Sequence, residues 1–141
     1  MLYRILSLSG GGVRGIFQAV CLRELASIHR QSLAPCFDVV AGTSTGSIIA
    51  MAVAFDLDLE LVVDLFKSKG PAIFSARAFS GVRKGPKYKP ELLRSALESV
   101  FGASTLADSH RLVVIPATTL NRLVSGCLLT SSVKAMSLTS S

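Results

Sequence analysis

The stretch Phe37-Asp38-Val39-Val40-Ala41-Gly42-Thr43-Ser44-Thr45-Gly46-Ser47-Ile48 runs from an apolar strand, through a serine turn bounded by glycines, toward an apolar helix. Pro35 precedes the strand Phe37–Ala41 and Gly42 ends it, while Ile48–Phe55 continues as an unbroken apolar segment that reads as a buried helix. Gly42-Thr43-Ser44-Thr45-Gly46 fits G-x-S-x-G in this strand-to-helix context. A serine on so sharp a turn presents its hydroxyl above the sheet edge, and side chains two positions to either side would collide there. Glycine at both positions removes them. The following helix turns its positive end toward developing negative charge. Ser44 is therefore the candidate nucleophile, with Gly42, Thr43, Thr45 and Gly46 shaping its turn.

Upstream, Tyr3–Ser9 has the alternation of a strand, and Gly10-Gly11-Gly12 breaks it. From Arg14, the apolar residues Ile16, Phe17, Val20, Cys21, Leu25 and Ile28 recur at helical spacing over about four turns. Gly10-Gly11-Gly12-Val13-Arg14-Gly15 satisfies G-x-G-x-x-G between strand and helix, so a dinucleotide site has to be weighed. That use wants an acid at the end of the second strand, whereas Asp38 falls at its start. No Gly-Lys-Ser/Thr closes the loop as a phosphate-binding loop would require. The remaining use is an oxyanion hole, because consecutive glycines let several backbone N–H groups converge beside a helix N-terminus. In a parallel sheet both turns lie at strand C-terminal ends and face one crevice.

Further along, Asp58 can cap a helix carrying Leu61, Val62, Leu65 and Phe66 on one face, with Gly70-Pro71 as its stop. Pro90 sits at a first helical position ahead of the stripe Leu92, Leu93, Ala96, Leu97, Val100, Phe101, closed by Gly102. Leu112–Ile115 is a third strand and Val124–Leu129 a weaker fourth. Strands alternating with helices predict an α/β fold, three-layer α/β/α with a mainly parallel sheet, over residues 3–130. A disordered tail is expected over 131–141.

Composition agrees with a globular chain. Of 141 residues, half are apolar and 17% charged, which excludes a disordered class and leaves room for one domain. The longest uncharged run, Val39–Phe55, is interrupted by Gly, Ser and Thr and is shorter than the roughly 20 apolar residues that span a bilayer. No signal peptide is expected, since Ser7–Gly12 breaks the first apolar run. Three cysteines without C-x-x-C spacing and two histidines argue against a disulfide framework and a zinc site; no metal or cofactor is expected. The expected setting is the cytoplasm. The net charge of +6 is uneven: no Lys or Arg occurs from Gln31 to Phe66, while eight lie between Lys67 and Arg94. The densest part, Arg83–Lys89, reads as an exposed loop, suited either to an anionic membrane surface or simply to solvent. Without interleaved aromatics, nucleic acid is not an expected partner.

The two glycine motifs together resemble the patatin-like phospholipases, in which a strand, a G-G-G-x-R-G loop and a helix precede G-x-S-x-G in a second strand-to-helix turn. Leu112-Val113-Val114-Ile115-Pro116-Ala117-Thr118 is similar to the next core strand of that family, so the likeness covers roughly Tyr3–Leu129. The basic segment gives a looser similarity to bacterial members that act as nucleotide-activated antiviral effectors. The resemblance implies acyl-ester hydrolysis by a Ser–Asp pair, without histidine or metal. Ser44 would attack, the oxyanion loop would be Gly10, Gly11, Gly12, Arg14 and Gly15 with amides around Gly11 and Gly12 as donors, and Arg14 would fix the loop. Its substrate would be membrane phospholipid or another fatty-acyl ester, reached by peripheral membrane contact.

Two departures stand out. Ser9 occupies a position where many members carry Asp. More consequentially, the base of the family is an Asp in an Asp-Gly-Gly/Ala motif, and no Asp-Gly pair occurs in this sequence. Asp56, Asp58 and Asp64 fall in or beside helices, and Asp108 lies two residues from His110, too close in sequence for a hydrolase triad. The base is unassigned. The expectation is a patatin-like domain cut short at its C-terminus, of low activity, with oligomerisation through an exposed sheet face left open. A non-catalytic module binding anionic lipid or a partner through the same crevice is the alternative.

Overall fold

The computed structural model describes residues 2–74, 90–119 and 124–130. The basic segment Arg83–Lys89 and the expected tail 131–141 lie outside the described residues.

Strand β1 (Ile5–Leu8) leads through a 3-10 turn (Gly12–Arg14) into helix α1 (Gly15–His29), then strand β2 (Val39–Gly42). Helices α2 (Thr45–Ala54), α3 (Leu59–Ser68), α4 (Gly70–Phe74) and α5 (Pro90–Phe101) separate β2 from β3 (Leu112–Thr119), and β4 (Val124–Thr130) follows. The sheet order is β1-β2-β3-β4, with β1, β2 and β3 parallel and β4 antiparallel to β3. An antiparallel neighbour needs no crossover helix, which is why residues 120–123 alone can join the last two strands. The α/β class with a mainly parallel sheet is thus present.

Parallel connections are right-handed. Because β1, β2 and β3 lie in sequence order, both crossovers put their helices on the same face. The register pairs Leu6 with Val40 and Val40 with Val113. On this face Leu8, Val40 and Val113 are buried, whereas Ile5, on the other, is 62% exposed. Helix α2 covers the first face and is buried almost all round: only Ser47 and Met51 of its ten residues reach intermediate exposure. Its sequence TGSIIAMAVA, rich in small residues, lets it approach sheet and helices alike. Fully burying an Ile or Val side chain contributes about 1.5–3 kcal/mol, and Ile48, Ile49, Val62, Val63 and Phe66 form one cluster with the strands.

Four details depart from the sequence reading. Helix α2 begins at Thr45, not Ile48, because the Gly46 and Ser47 N–H groups donate to the carbonyls of Thr43 and Ser44 (2.9 Å each) and wind a turn directly out of the serine turn. Gly70-Pro71 does not merely stop α3 but opens α4; Pro71 sits in a first turn, where its missing N–H has no intrahelical partner to lose. The apolar spacing of α1 is only partly its inward face: Ile16 and Val20 pack against the core, whereas Cys21 and Leu25 are exposed. Ala19 and Leu22 are buried on the side that packs on α3, while Phe17 and Ile28 are each 72% exposed. Similarly, Leu61 is exposed on α3 and Val63 takes its place inside. Asp58 does cap α3, accepting from the Glu60 N–H at 2.9 Å.

Candidate active site

The pairing of Leu8 with Gly42 brings both glycine turns out of the sheet side by side. They are then stitched together. The Thr43 N–H donates to the Leu8 carbonyl (3.1 Å), and the Gly10 N–H donates to Thr43 Oγ1 (2.9 Å). Gln18 Nε2 holds the Ser9 carbonyl from α1 (2.8 Å). A Cβ placed on Gly10 would lie 2.9 Å from Ser44 Cβ, so Ser44 and the loop are in direct contact.

Close approach explains the paired glycines of the serine turn. A Cβ at Gly42 would lie 2.3 Å from the Gly46 carbonyl oxygen, and one at Gly46 only 2.5 Å from that of Leu8. Backbone meets backbone at both places, and no side chain fits. Between them Ser44 has φ 52° and ψ −124°, a left-handed conformation for a non-glycine residue. Such strain costs about 1–3 kcal/mol and persists only where the surroundings impose it. Ser44 stands at the N-cap of α2, makes no side-chain cap and is exposed. Ser47 one turn on donates its hydroxyl to the Ser44 carbonyl. Thr45 points the other way. It is 1% exposed beneath Gly15, whose added Cβ would meet Thr45 Oγ1 at 3.0 Å, and its hydroxyl has no hydrogen-bond partner among the described residues.

In the glycine-rich loop, Gly12 has φ +60° and opens the 3-10 turn, where the Arg14 N–H donates to the Gly11 carbonyl (3.3 Å). The Gly15 N–H is likewise taken, by the Gly12 and Val13 carbonyls. The Arg14 side chain is exposed. Gly11 and Gly12 therefore carry N–H groups that meet no acceptor among the described residues. Helix α4, missed in the sequence, backs this loop: an added Cβ on Gly12 would lie 3.9 Å from Phe74, and one on Gly70 3.6 Å from Val13. Phe74 is itself held against Phe66 of α3, ring centroids 5.9 Å apart.

The aspartates lie elsewhere, each with its own partner. Asp38 accepts from the Arg4 N–H (2.8 Å), and that hydrogen bond, aided by the Arg4 and Arg111 charges, holds its carboxyl below the ordinary carboxylate value. Asp56 accepts from Ser32, and Asp64 pairs with Lys67. Asp108 closes a capping box with Thr105, whose N–H and hydroxyl (2.7 and 2.8 Å) also lower its pKa. His110 does not pair with it; its backbone N–H caps the Ala54 carbonyl at the end of α2 (2.9 Å). Among the described residues, no carboxylate or imidazole is hydrogen-bonded to Ser44.

Sequence comparison places these features in context. The profile of the patatin-like phospholipases matches residues 6–136. A cGAMP-activated phospholipase of Pseudomonas aeruginosa is 32% identical over 119 residues, covering 82% of this chain and 36% of that protein. Patatin-like protein 2 of Arabidopsis thaliana is 34% identical over 136 residues (82% and 33%), and human calcium-independent phospholipase A2-gamma 28% over 113 residues (77% and 14%). The chain thus spans about a third or less of the length of these relatives. With the two glycine motifs inside the matched region, the chain belongs to the patatin-like phospholipase family.

Proposed function

We propose that Ser44 is the nucleophile of a lipid acyl hydrolase and that the Gly11 and Gly12 N–H groups stabilise the oxyanion. The observation that carries this reading is the strained backbone of Ser44, held at φ 52° against a loop with two unengaged N–H donors. Attack by Ser44 Oγ on a fatty-acyl ester forms a C–O bond and pushes charge onto the carbonyl oxygen, while the hydroxyl proton passes to a base. Collapse expels the alcohol portion of the lipid, and water then releases the fatty acid from the acyl-enzyme. One oxyanion donor of this type contributes about 3 kcal/mol to the transition state. The Gly10 N–H, engaged by Thr43, fixes the loop instead, and Gly15 admits Thr45 beneath it. The substrate in this reading is membrane phospholipid or another fatty-acyl ester, met by peripheral membrane contact from the cytoplasm. Among the described residues no helix is long and apolar enough to cross a membrane.

A serine hydroxyl without a base is a weak nucleophile at neutral pH. With every described aspartate engaged elsewhere and no Asp-Gly pair in the sequence, these 141 residues on their own are expected to turn over esters very slowly. The test is hydrolysis of a short-chain chromogenic ester by the chain and by Ser44→Ala. Slow turnover that the substitution abolishes supports the proposal, and turnover unchanged in Ser44→Ala refutes it. A second reading, a non-catalytic lipid-binding module, is favoured by the missing base alone. Vesicle sedimentation that persists with no Ser44-dependent hydrolysis would support it.

A further inference from the structure

Resting on the hydrolase reading, we propose that the cavity between α2 and α5 is the subsite for the fatty-acyl chain, and that the Phe55–Phe101 pair is the floor that sets its length. The cavity has a volume of about 610 Å³, on the scale of small-ligand sites. Two stripes with four-residue steps line it: Ser47, Met51 and Phe55 on α2 and Leu93, Leu97 and Phe101 on α5. Its upper end is Ser47, whose hydroxyl is bonded to the Ser44 carbonyl, so the cavity opens one helical turn from the nucleophile. At the lower end the Phe55 and Phe101 rings meet edge-to-face, centroids 6.0 Å apart.

Side matters as much as proximity. The oxyanion loop follows β1, whereas the cavity wall includes Ile115 of β3, and β2 with Ser44 lies between them. The carbonyl oxygen and the alkyl chain of an ester leave the same trigonal carbon in diverging directions. With the oxygen in the loop on the β1 side, the chain is directed toward β3 and the cavity. From Ser47 to Phe55 is eight residues, about 12 Å of helix, which accepts an extended alkyl chain of about ten carbons. Among the described residues the charged groups on the wall are Arg94 and Glu98, exposed and paired with each other at 3.2 Å; Ser47, Ser104 and Thr105 add hydroxyls, and the rest of the lining is apolar or glycine.

Calorimetric titration of the full chain with saturated fatty acids from hexanoate to palmitate tests this without needing turnover. Affinity is expected to rise roughly fourfold per added methylene and to level off near decanoate. Leu97→Trp, which fills the cavity, should weaken decanoate at least tenfold and move the plateau to shorter acids. Phe101→Ala should move it to longer ones, a gain that unfolding cannot imitate. A plateau identical in all three proteins, or affinity that climbs to palmitate without levelling, overturns the proposal. Plateau shifts as expected, with no Ser44-dependent ester hydrolysis, support the subsite and count against the hydrolase reading instead.

Discussion

At the serine turn an added methyl group has no space, with backbone atoms 2.3–2.5 Å from a Cβ on Gly42 or Gly46; at the Gly11–Gly12 turn the nearest atoms stand at 3.7 and 3.9 Å. Glycine serves volume in the first and conformation in the second, where Gly12 takes φ +60°. The first turn is a packed joint between β1, β2 and α2. The second is an open rim whose Gly11 and Gly12 N–H groups meet no acceptor among the described residues. Substitution should therefore damage them to different degrees and for different reasons.

The largest effect is expected from Gly42→Ala or Gly46→Ala. Each forces two backbones apart and should cost at least about 3 kcal/mol, read as a lower urea midpoint or loss of folded protein. Gly12→Ala meets open space but a left-handed backbone, so about 1–2 kcal/mol is expected. If Gly12→Ala proved as damaging as Gly46→Ala, the distinction between volume and conformation would fail. Ser44→Gly should be more stable than Ser44→Ala by about 1 kcal/mol, because only glycine relieves the φ 52° strain. Thr45→Val should raise stability by about 1 kcal/mol by removing a buried hydroxyl that has no partner, and thermal melts would show it. The smallest effect is acid sensitivity. Asp38 and Asp108 have folded-state pKa values below the ordinary 3.8. Their stabilisation is present above the unfolded value and disappears as pH falls through the folded one. Asp38→Asn and Asp108→Asn should accordingly flatten the loss of stability below about pH 4.

The joint was legible in the sequence because close packing leaves a mark in composition: glycines two positions either side of a serine, between apolar runs. The α/β alternation and the α5 stripe with its Pro90 start and Gly102 end were equally plain. What sequence did not yield depended on tertiary context. Helix α4 carries too few residues to show a period, and its value lies in packing on a loop sixty residues earlier. The exposed residues of α1, Phe17, Leu25 and Ile28, have the same spacing as buried ones, so periodicity alone could not orient the helix. Thr43 reads in the sequence only as one of the residues shaping the serine turn. Only the pairing of Leu8 with Gly42 made its hydroxyl the tie between the two turns.

The left-handed serine has an evolutionary corollary. Drift in a chain freed from chemistry runs downhill in energy, and at position 44, with φ 52° and ψ −124°, downhill leads to glycine, which enters that region of backbone space without steric cost. A serine at this position stands against that gradient, and on the hydrolase proposal its hydroxyl is what the forgone stability is exchanged for.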